Sequence, residues 1–303
     1  MLVSFPLQSA VGVARKTSYA SHPFVLRMPV PDNDASPAPF GAFAPNAAQA
    51  AIVSLAHRSG LKRGAFRPWL SRLINLVRDG PLDVSYQGAS FRLYHQNSAT
   101  ERGALLNPDY NLEELNFLRA HTPTGGVFVD VGANVGTYAL VLARKVGTTG
   151  KVIAIEPHPV THGRLSFNRT ASGLTQVILV AAAAGPVDGE VLIETDGDNL
   201  GASHVVSSDA SAKAIRVPSF RLIRILEQAG AANIDALKID VEGFEDRVLT
   251  GFFKEAPQTL WPRAVVIEHL SRDEWLTDCI ADMLARGYDA VGKTRSNTLL
   301  VRG

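Results

Sequence analysis

Val127-Phe128-Val129-Asp130-Val131-Gly132-Ala133-Asn134-Val135-Gly136 reads as a strand, a carboxylate near its carboxyl end and a glycine-bearing turn into a helix. A short apolar run rich in β-branched residues and ended by glycine suits a strand covered on both faces. Open α/β sheets bind their ligands at the carboxyl ends of such strands. Glycine at 132 and 136 removes side chains where the backbone must approach a ligand or a neighbouring element closely, and Asn134 tolerates the unusual angles of the turn. Alone, the turn is compatible with a dinucleotide site, with a methyl-donor site and with tight packing.

Outward from this stretch, helical and strand patterns alternate. A helix is expected at 112–121, a strand at 127–131, a helix at 137–146 closed by Gly147, a strand at 152–156, a helix through Leu165 and Phe167 and a strand at 177–181. The second half carries strands at 236–240, 264–269 and 297–301, separated by helices at 244–253 and 275–285. This order builds a doubly wound, mostly parallel sheet with helices on both faces through right-handed crossovers. Upstream lie a helix at 47–57, an amphipathic helix marked by Trp69, Leu70, Leu73, Ile74 and Val77, and a hairpin, Leu82-Val84-Tyr86 against Ala89-Phe91-Leu93 across Gln87-Gly88. Three parts follow: a poorly ordered leader at 1–46, a helix-and-hairpin extension at 47–110 that caps the site or packs on the main domain, and the main domain at 111–303.

The 303 residues are 46% hydrophobic, with 30 basic and 29 acidic side chains and a net charge of +1. Nothing in that balance recommends nucleic acid as a partner. The single cysteine, Cys279, excludes an internal disulfide and a cysteine-based zinc cluster. Its place among Trp275, Leu276, Ile280, Met283 and Leu284 suits a core thiol on a helix. No apolar run approaches the roughly 20 residues that span a bilayer, and the first residues lack the basic region of a secretory signal, so a cytoplasmic protein is expected.

Glu156 ends the strand after the first crossover, where an acid can accept two hydrogen bonds from a ribose diol. A nicotinamide site wants glycine where Asn134 stands, and Asp130 would repel a pyrophosphate. The same carboxylate suits S-adenosylmethionine, which carries an ammonium and a sulfonium. Gly136-Thr137-Tyr138 lacks the lysine of a Walker loop. The sign of the charge thus favours the methyl donor.

Together, Asp130-Val131-Gly132-Ala133-Asn134-Val135-Gly136, Glu156-Pro157 and Leu237-Lys238-Ile239-Asp240-Val241-Glu242-Gly243-Phe244-Glu245 resemble the FkbM family of methyltransferases, over about residues 113–302. The resemblance implies a class I Rossmann-like fold, S-adenosylmethionine as methyl donor, and a hydroxyl acceptor on a sugar or other biosynthetic intermediate. Arg221-Leu222-Ile223 stands where the family commonly has Thr-Leu-Asp, and Ala182-Ala183-Ala184-Gly185 replaces an Asn-Val-Ala type sequence, leaving Ala183 as an apolar neighbour for adenine.

The expected cofactor-binding residues are Asp130, Gly132, Ala133, Asn134, Gly136, Glu156 and Ala183. A hydroxyl acceptor needs its proton removed, which points to strand ends in the same crevice and to Asp240, Glu242 and His269 as catalytic residues, with Glu268 beside them. His269 has the pKa range of a base near neutrality, and Asp240 or Glu242 would orient it or bind acceptor hydroxyls. Asp240, Glu242 and Glu268 offer three hard ligands, but no metal is expected. Glu245 suits a cap of the following helix, and His204 a solvated loop. The partner is a small-molecule or glycan acceptor. A nicotinamide-dependent oxidoreductase and a non-catalytic binding module are the alternatives, and a base methyltransferase is disfavoured because Asp240-Val241-Glu242-Gly243 lacks the Asn/Asp-Pro-Pro-aromatic motif.

Overall fold

A computed structural model describes residues 38–196, 199–206 and 214–303. The chain begins with α1 (Ala47–Arg58), α2 (Arg67–Val77), a hairpin of β1 (Leu82–Tyr86) and β2 (Ala89–Leu93), and α3 (Ala99–Leu106). The alternating part follows as α4 (Leu112–His121), β3 (Val127–Val131), α5 (Ala139–Val146), β4 (Lys151–Ile155), α6 (Pro159–Ala171) and β5 (Val177–Val180). Four strands, β6 (Ala183–Gly185), β7 (Gly189–Asp196), β8 (Asn199–Val206) and β9 (Ile215–Arg221), then form a small sheet. The last part comprises α7 (Leu222–Gln228), β10 (Ala236–Ile239), α8 (Glu245–Glu255), β11 (Ala264–Glu268), α9 (Cys279–Ala285), β12 (Tyr288–Lys293) and β13 (Asn297–Arg302).

The main sheet has the order β12-β13-β11-β10-β3-β4-β5. Strands β5, β4, β3, β10 and β11 are parallel, while β13 runs antiparallel to both β11 and β12. From β3 the chain winds outward to β5 and later returns on the other side of β3 as β10. The boundary between β3 and β10 is therefore a topological switch point, where diverging connections leave a crevice at the strands' carboxyl ends.

Strand alternation divides the interior in two. Phe128, Ala154, Ala236 and Val266 pack with Leu115, Leu118 and Leu140 on one face. Val129, Ile153, Leu237 and Val265 pack with Leu226, Val248, Phe252 and Met283 on the other. Asp130 falls on the first face, and its register partner on β10 is Lys238. The pleat thus buries an acid and a base side by side beneath the switch point.

The N-terminal extension shares the first core, to which Ile74, Leu82, Phe91 and Leu93 belong. Its hairpin is tied to α6 by hydrogen bonds from the Ser90 amide to Ser172 Oγ (2.9 Å) and from the Arg92 amide to Asn168 Oδ1 (2.8 Å). Residues 38–46, expected as part of the leader, are instead held in place. Asp83 accepts the amides of Gly41 and Phe43, and Arg92 donates to the carbonyls of Ala38 and Pro39. The buried Arg92–Asp83 pair draws this segment in because it supplies the charged partners that its own composition lacks. The rest of the leader, 1–37, lies outside the described residues.

Two local expectations are corrected. The helix expected from Trp275 begins at Cys279, because the Asp278 side chain accepts the Ala281 amide and sets the N-terminus there; Trp275 and Leu276 precede it, and Leu276 is exposed. The segment holding His204, expected as a loop, is the strand β8, paired with β7. Among the described residues no helix is long and apolar enough to cross a membrane.

Candidate active site

The loop after β3 is built to bring two strand ends together. Gly132 has φ +76°, and a Cβ there would lie 1.9 Å from the carbonyl oxygen of Asp240. Any side chain would wedge the loop away from the end of β10. The amides of Gly132 and Ala133 both donate to the Ile155 carbonyl, at 3.0 and 2.9 Å, which ties the loop to the end of β4. Asn134 adopts the left-handed conformation at φ +52°, and its side-chain oxygen accepts the Val135 amide at 2.8 Å. Gly136 is a packing residue: a Cβ there would meet Leu165 and Leu140 at 2.6 and 2.8 Å.

Glu156 reaches back across this loop. One carboxylate oxygen accepts the Asn134 amide and the other the His158 amide, both at 2.9 Å. Burial pushes its pKa up to about 7, against the pull of those two amides. The carboxylate is thereby held in one orientation, with lone pairs left to face the crevice.

Lys238 is the hub of the site and was not singled out by the sequence. Its Nζ donates to the Gly132 carbonyl at 2.8 Å and lies 3.4 Å from Asp240 and 3.7 Å from Asp130, with the Tyr138 ring 5.4 Å away. Burial alone would lower its pKa, but Asp240 and Asp130 overcome this and hold it above its ordinary value. Asp130 is fully buried, and among the described residues neither of its oxygens has a hydrogen-bonding partner. Burial raises it to about 6, with Lys238 opposing.

The crevice is lined by Gly132, Ala133, Asn134, Glu156, Ala183, Asp240 and Glu242 from the expected set. Asp130 and Gly136 support the loop from beneath. His269 is not among the lining residues; its Nδ1 faces the Thr298 hydroxyl at 3.1 Å. Lys238, Tyr138 and Phe244 complete the floor, Ser296 and Asn297 one side. The N-terminal extension adds Thr100, and the turn behind it Tyr110 and Asn111. Tyr110 is fixed because its carbonyl accepts the Tyr86 hydroxyl of the hairpin. These long-range neighbours carried no motif that sequence reading could use.

Glu242 stands at the crevice in the left-handed conformation, φ +51°, and has no hydrogen bond among the described residues. Burial first, then the charges of Asp240 and Glu268, raises its pKa to about 7. Strain of this kind in a side-chain-bearing residue costs about 1 kcal/mol or more and gathers at functional sites. Glu245 caps the preceding loop, accepting the amides of Val241 (2.7 Å) and Gly243 (3.1 Å) and the Trp275 indole (2.8 Å). Asp240, Glu245 and Glu268 bring one oxygen each within 4.8 Å of one another, so Glu245 takes the place expected for Glu242 in any three-carboxylate set. The oxygens of Glu245 and Glu268 are engaged by amides and the indole.

Chemically the crevice has a sign. Glu156, Asp240 and Glu242 line it and Asp130 lies beneath, against one ammonium from Lys238. Four carboxylates around a glycine-walled slot suit a cationic ligand with a diol, and a pyrophosphate would meet repulsion. Sheet order, switch-point crevice and this charge define a class I methyltransferase fold. The chain belongs to the family described as methyltransferase FkbM domain, whose model matches residues 130–289, and it is an S-adenosylmethionine-dependent methyltransferase. It is 28% identical to "Methyltransferase sdnD" of Sordaria araneosa over 179 residues, covering 49% of this chain and 68% of that protein. Among solved structures, an rRNA methylase from Streptococcus thermophilus has a TM-score of 0.38 at 12% identity, over 63% of this chain and 94% of that one. A putative O-methyltransferase from Klebsiella pneumoniae has 0.37 at 12% identity, over 63% and 80%. Likeness at that level is too loose to bear on the acceptor.

Proposed function

We propose that this protein methylates a hydroxyl group on a sugar, glycan or secondary-metabolite acceptor. The observation that carries the reading is the Asp240–Glu242 pair at the end of β10, in the same crevice as the glycine loop and Glu156. S-adenosylmethionine, when bound, supplies an electrophilic methyl on a positively charged sulfur. In the proposal Glu156 accepts hydrogen bonds from the ribose diol, Ala183 borders the adenine, and Gly132, Ala133 and Asn134 form the wall on the methionine side. Asp130 acts from below, through Lys238 and the loop that Lys238 holds.

The acceptor hydroxyl must lose its proton as its oxygen gains the methyl group. Glu242 is proposed to take that proton, and Asp240, next to Lys238, to hold the hydroxyl in line. A base is most effective when its pKa lies near the working pH, and Glu242 at about 7 meets that condition. With His269 outside the lining, proton removal is assigned to the carboxylate pair. The remaining contribution is alignment of the reacting atoms.

The test is incubation of the full chain with methyl-labelled S-adenosylmethionine and a glycan and metabolite extract from its own cells. Label in an ether methyl group is expected, lost in Glu242→Gln while isothermal titration still shows donor binding. Failure of the folded wild type to bind S-adenosylmethionine, or label found only on nitrogen or carbon, overturns the reading.

A further inference from the structure

We infer that α2 and the turn leading into it dock on an anionic lipid surface, with Trp69, Leu73 and Leu76 entering the interface and Arg63 and Arg72 meeting the headgroups. None of these five side chains lines the crevice.

Helix α2 is apolar on two sides, and the fold uses one of them. Leu70 and Ile74 face inward and belong to the first core, and between them Ser71 Oγ donates to the buried His95 carbonyl at 3.0 Å. On the opposite side Trp69, Leu73 and Leu76 follow one another at intervals of four and three residues and so form a single stripe. Trp69 is 58% exposed and Leu76 85% exposed, and Phe66, just before the helix, is exposed as well. An apolar stripe left in water along one helix marks a contact surface.

The charge around the stripe selects the partner. Residues 47–78 contain Arg58, Lys62, Arg63, Arg67, Arg72 and Arg78 and no aspartate or glutamate, although the whole chain is balanced at +1. Lys62 pairs with Asp109, while Arg67 and Arg78 donate to backbone carbonyls. Arg63 and Arg72 are exposed. Arg72 stands one helical turn from both Trp69 and Leu76, so it borders the stripe. Tryptophan beside leucine, rimmed by arginine, suits a helix lying in the headgroup region: the leucines leave water, the indole spans the polar boundary and the guanidinium groups meet lipid phosphates. A second copy of this chain, packed about a two-fold axis, would bring Arg63 and Arg72 against like charges. A single-stranded nucleic acid would use the arginines and the indole but leave Leu73 and Leu76 in water. The inner side of α2 reaches the crevice wall, since the Arg67 guanidinium sits 5.5 Å from the centre of the Tyr110 ring, which lines the crevice. Docking therefore brings that wall close to the lipid surface.

The test is flotation of the full chain with vesicles of phosphatidylcholine alone and of phosphatidylcholine mixed with phosphatidylglycerol, read together with tryptophan emission. The mixed vesicles are expected to carry the wild type and shift its emission to the blue, with binding about tenfold weaker on phosphatidylcholine alone and lost in about 1 M salt. Trp69→Ser/Leu76→Ser should lose both flotation and blue shift, and Arg63→Gln/Arg72→Gln should bind the mixed vesicles about tenfold more weakly, each with the circular dichroism of the wild type. No flotation with the mixed vesicles, equal binding to both kinds of vesicle, or wild-type binding by either folded variant overturns the inference. A dimer in analytical ultracentrifugation that Trp69→Ser/Leu76→Ser breaks, or an oligothymidylate bound in place of the vesicles, gives the face to a second copy or to nucleic acid and overturns it too.

Discussion

Buried charges are treated in opposite ways in the N-terminal extension and at the crevice. In the extension Asp83 is fully occupied, receiving two bonds from Arg92 at 2.7 and 2.9 Å and the amides of Gly41 and Phe43. The Arg92 guanidinium in turn lies over the rings of Phe43 and Phe167. Burial pulls the Asp83 pKa upward, but Arg92 and the two amides outweigh it and the carboxyl ends below its usual value. At the crevice, among the described residues, Asp130 has only the Lys238 ammonium at 3.7 Å and Glu242 has no hydrogen bond, and burial holds them at about 6 and 7. A satisfied buried pair fixes architecture, while an unsatisfied group stores free energy that a ligand or substrate can release.

The comparison breaks first if the crevice carboxylates are passive. Glu242→Gln should slow methyl transfer about 10²- to 10⁴-fold, the usual cost of losing a general base, with donor affinity nearly unchanged; labelled-methyl incorporation and titration calorimetry separate the two. A loss below tenfold would remove Glu242 from the chemistry. On the architectural side, Arg92→Ala leaves Asp83 buried without its partner and should cost about 3–5 kcal/mol, read from urea unfolding, together with increased protease sensitivity of residues 38–46.

Donor binding should itself depend on pH. Glu156 at about 7 and Asp130 at about 6 gain protons as the pH falls, and the crevice loses the charge that attracts a cation. Affinity for S-adenosylmethionine should therefore weaken by about tenfold per proton taken up between pH 8 and 6, and a flat profile would contradict the roles of both residues. The smallest effect concerns stability. The folded-state pKa of Glu242 is raised to about 7 from 4.5, so the unfolded chain releases this proton at lower pH than the folded one. Its contribution thus turns destabilising as pH rises through that window and is complete above it. Glu242→Gln should melt higher than the wild type at pH 8, with the advantage vanishing near pH 5. Equal melting temperatures at both pH values would show that the carboxyl is not strained by its surroundings.

Much of this was legible in the chain because local rules carried it. Short apolar runs located β3, β4, β10, β11 and β13, and Gly132 marked a turn that no side chain could enter. Glu156 could be placed because a strand end presents its last side chain to the crevice. The small sheet β6-β9-β7-β8 was not read. Its strands depend on pairing partners that are distant in sequence. Trp275 was misplaced on a helix for a related reason: its apolar spacing fits one, but its indole is recruited by the Glu245 carboxylate.

Sequence alone therefore determined the strand-turn-helix at Asp130 to Gly136, the acid at 156 and the sign of charge that favours a cationic donor, because each rests on neighbours close in the chain or on composition. Only the tertiary structure decided that Lys238 sits between Asp130 and Asp240, that Glu245 rather than Glu242 joins Asp240 and Glu268, and that Thr100, Tyr110, Ser296 and Asn297 reach the crevice. These positions follow from register and packing between elements up to some two hundred residues apart, and no local periodicity encodes which side chains such packing brings together.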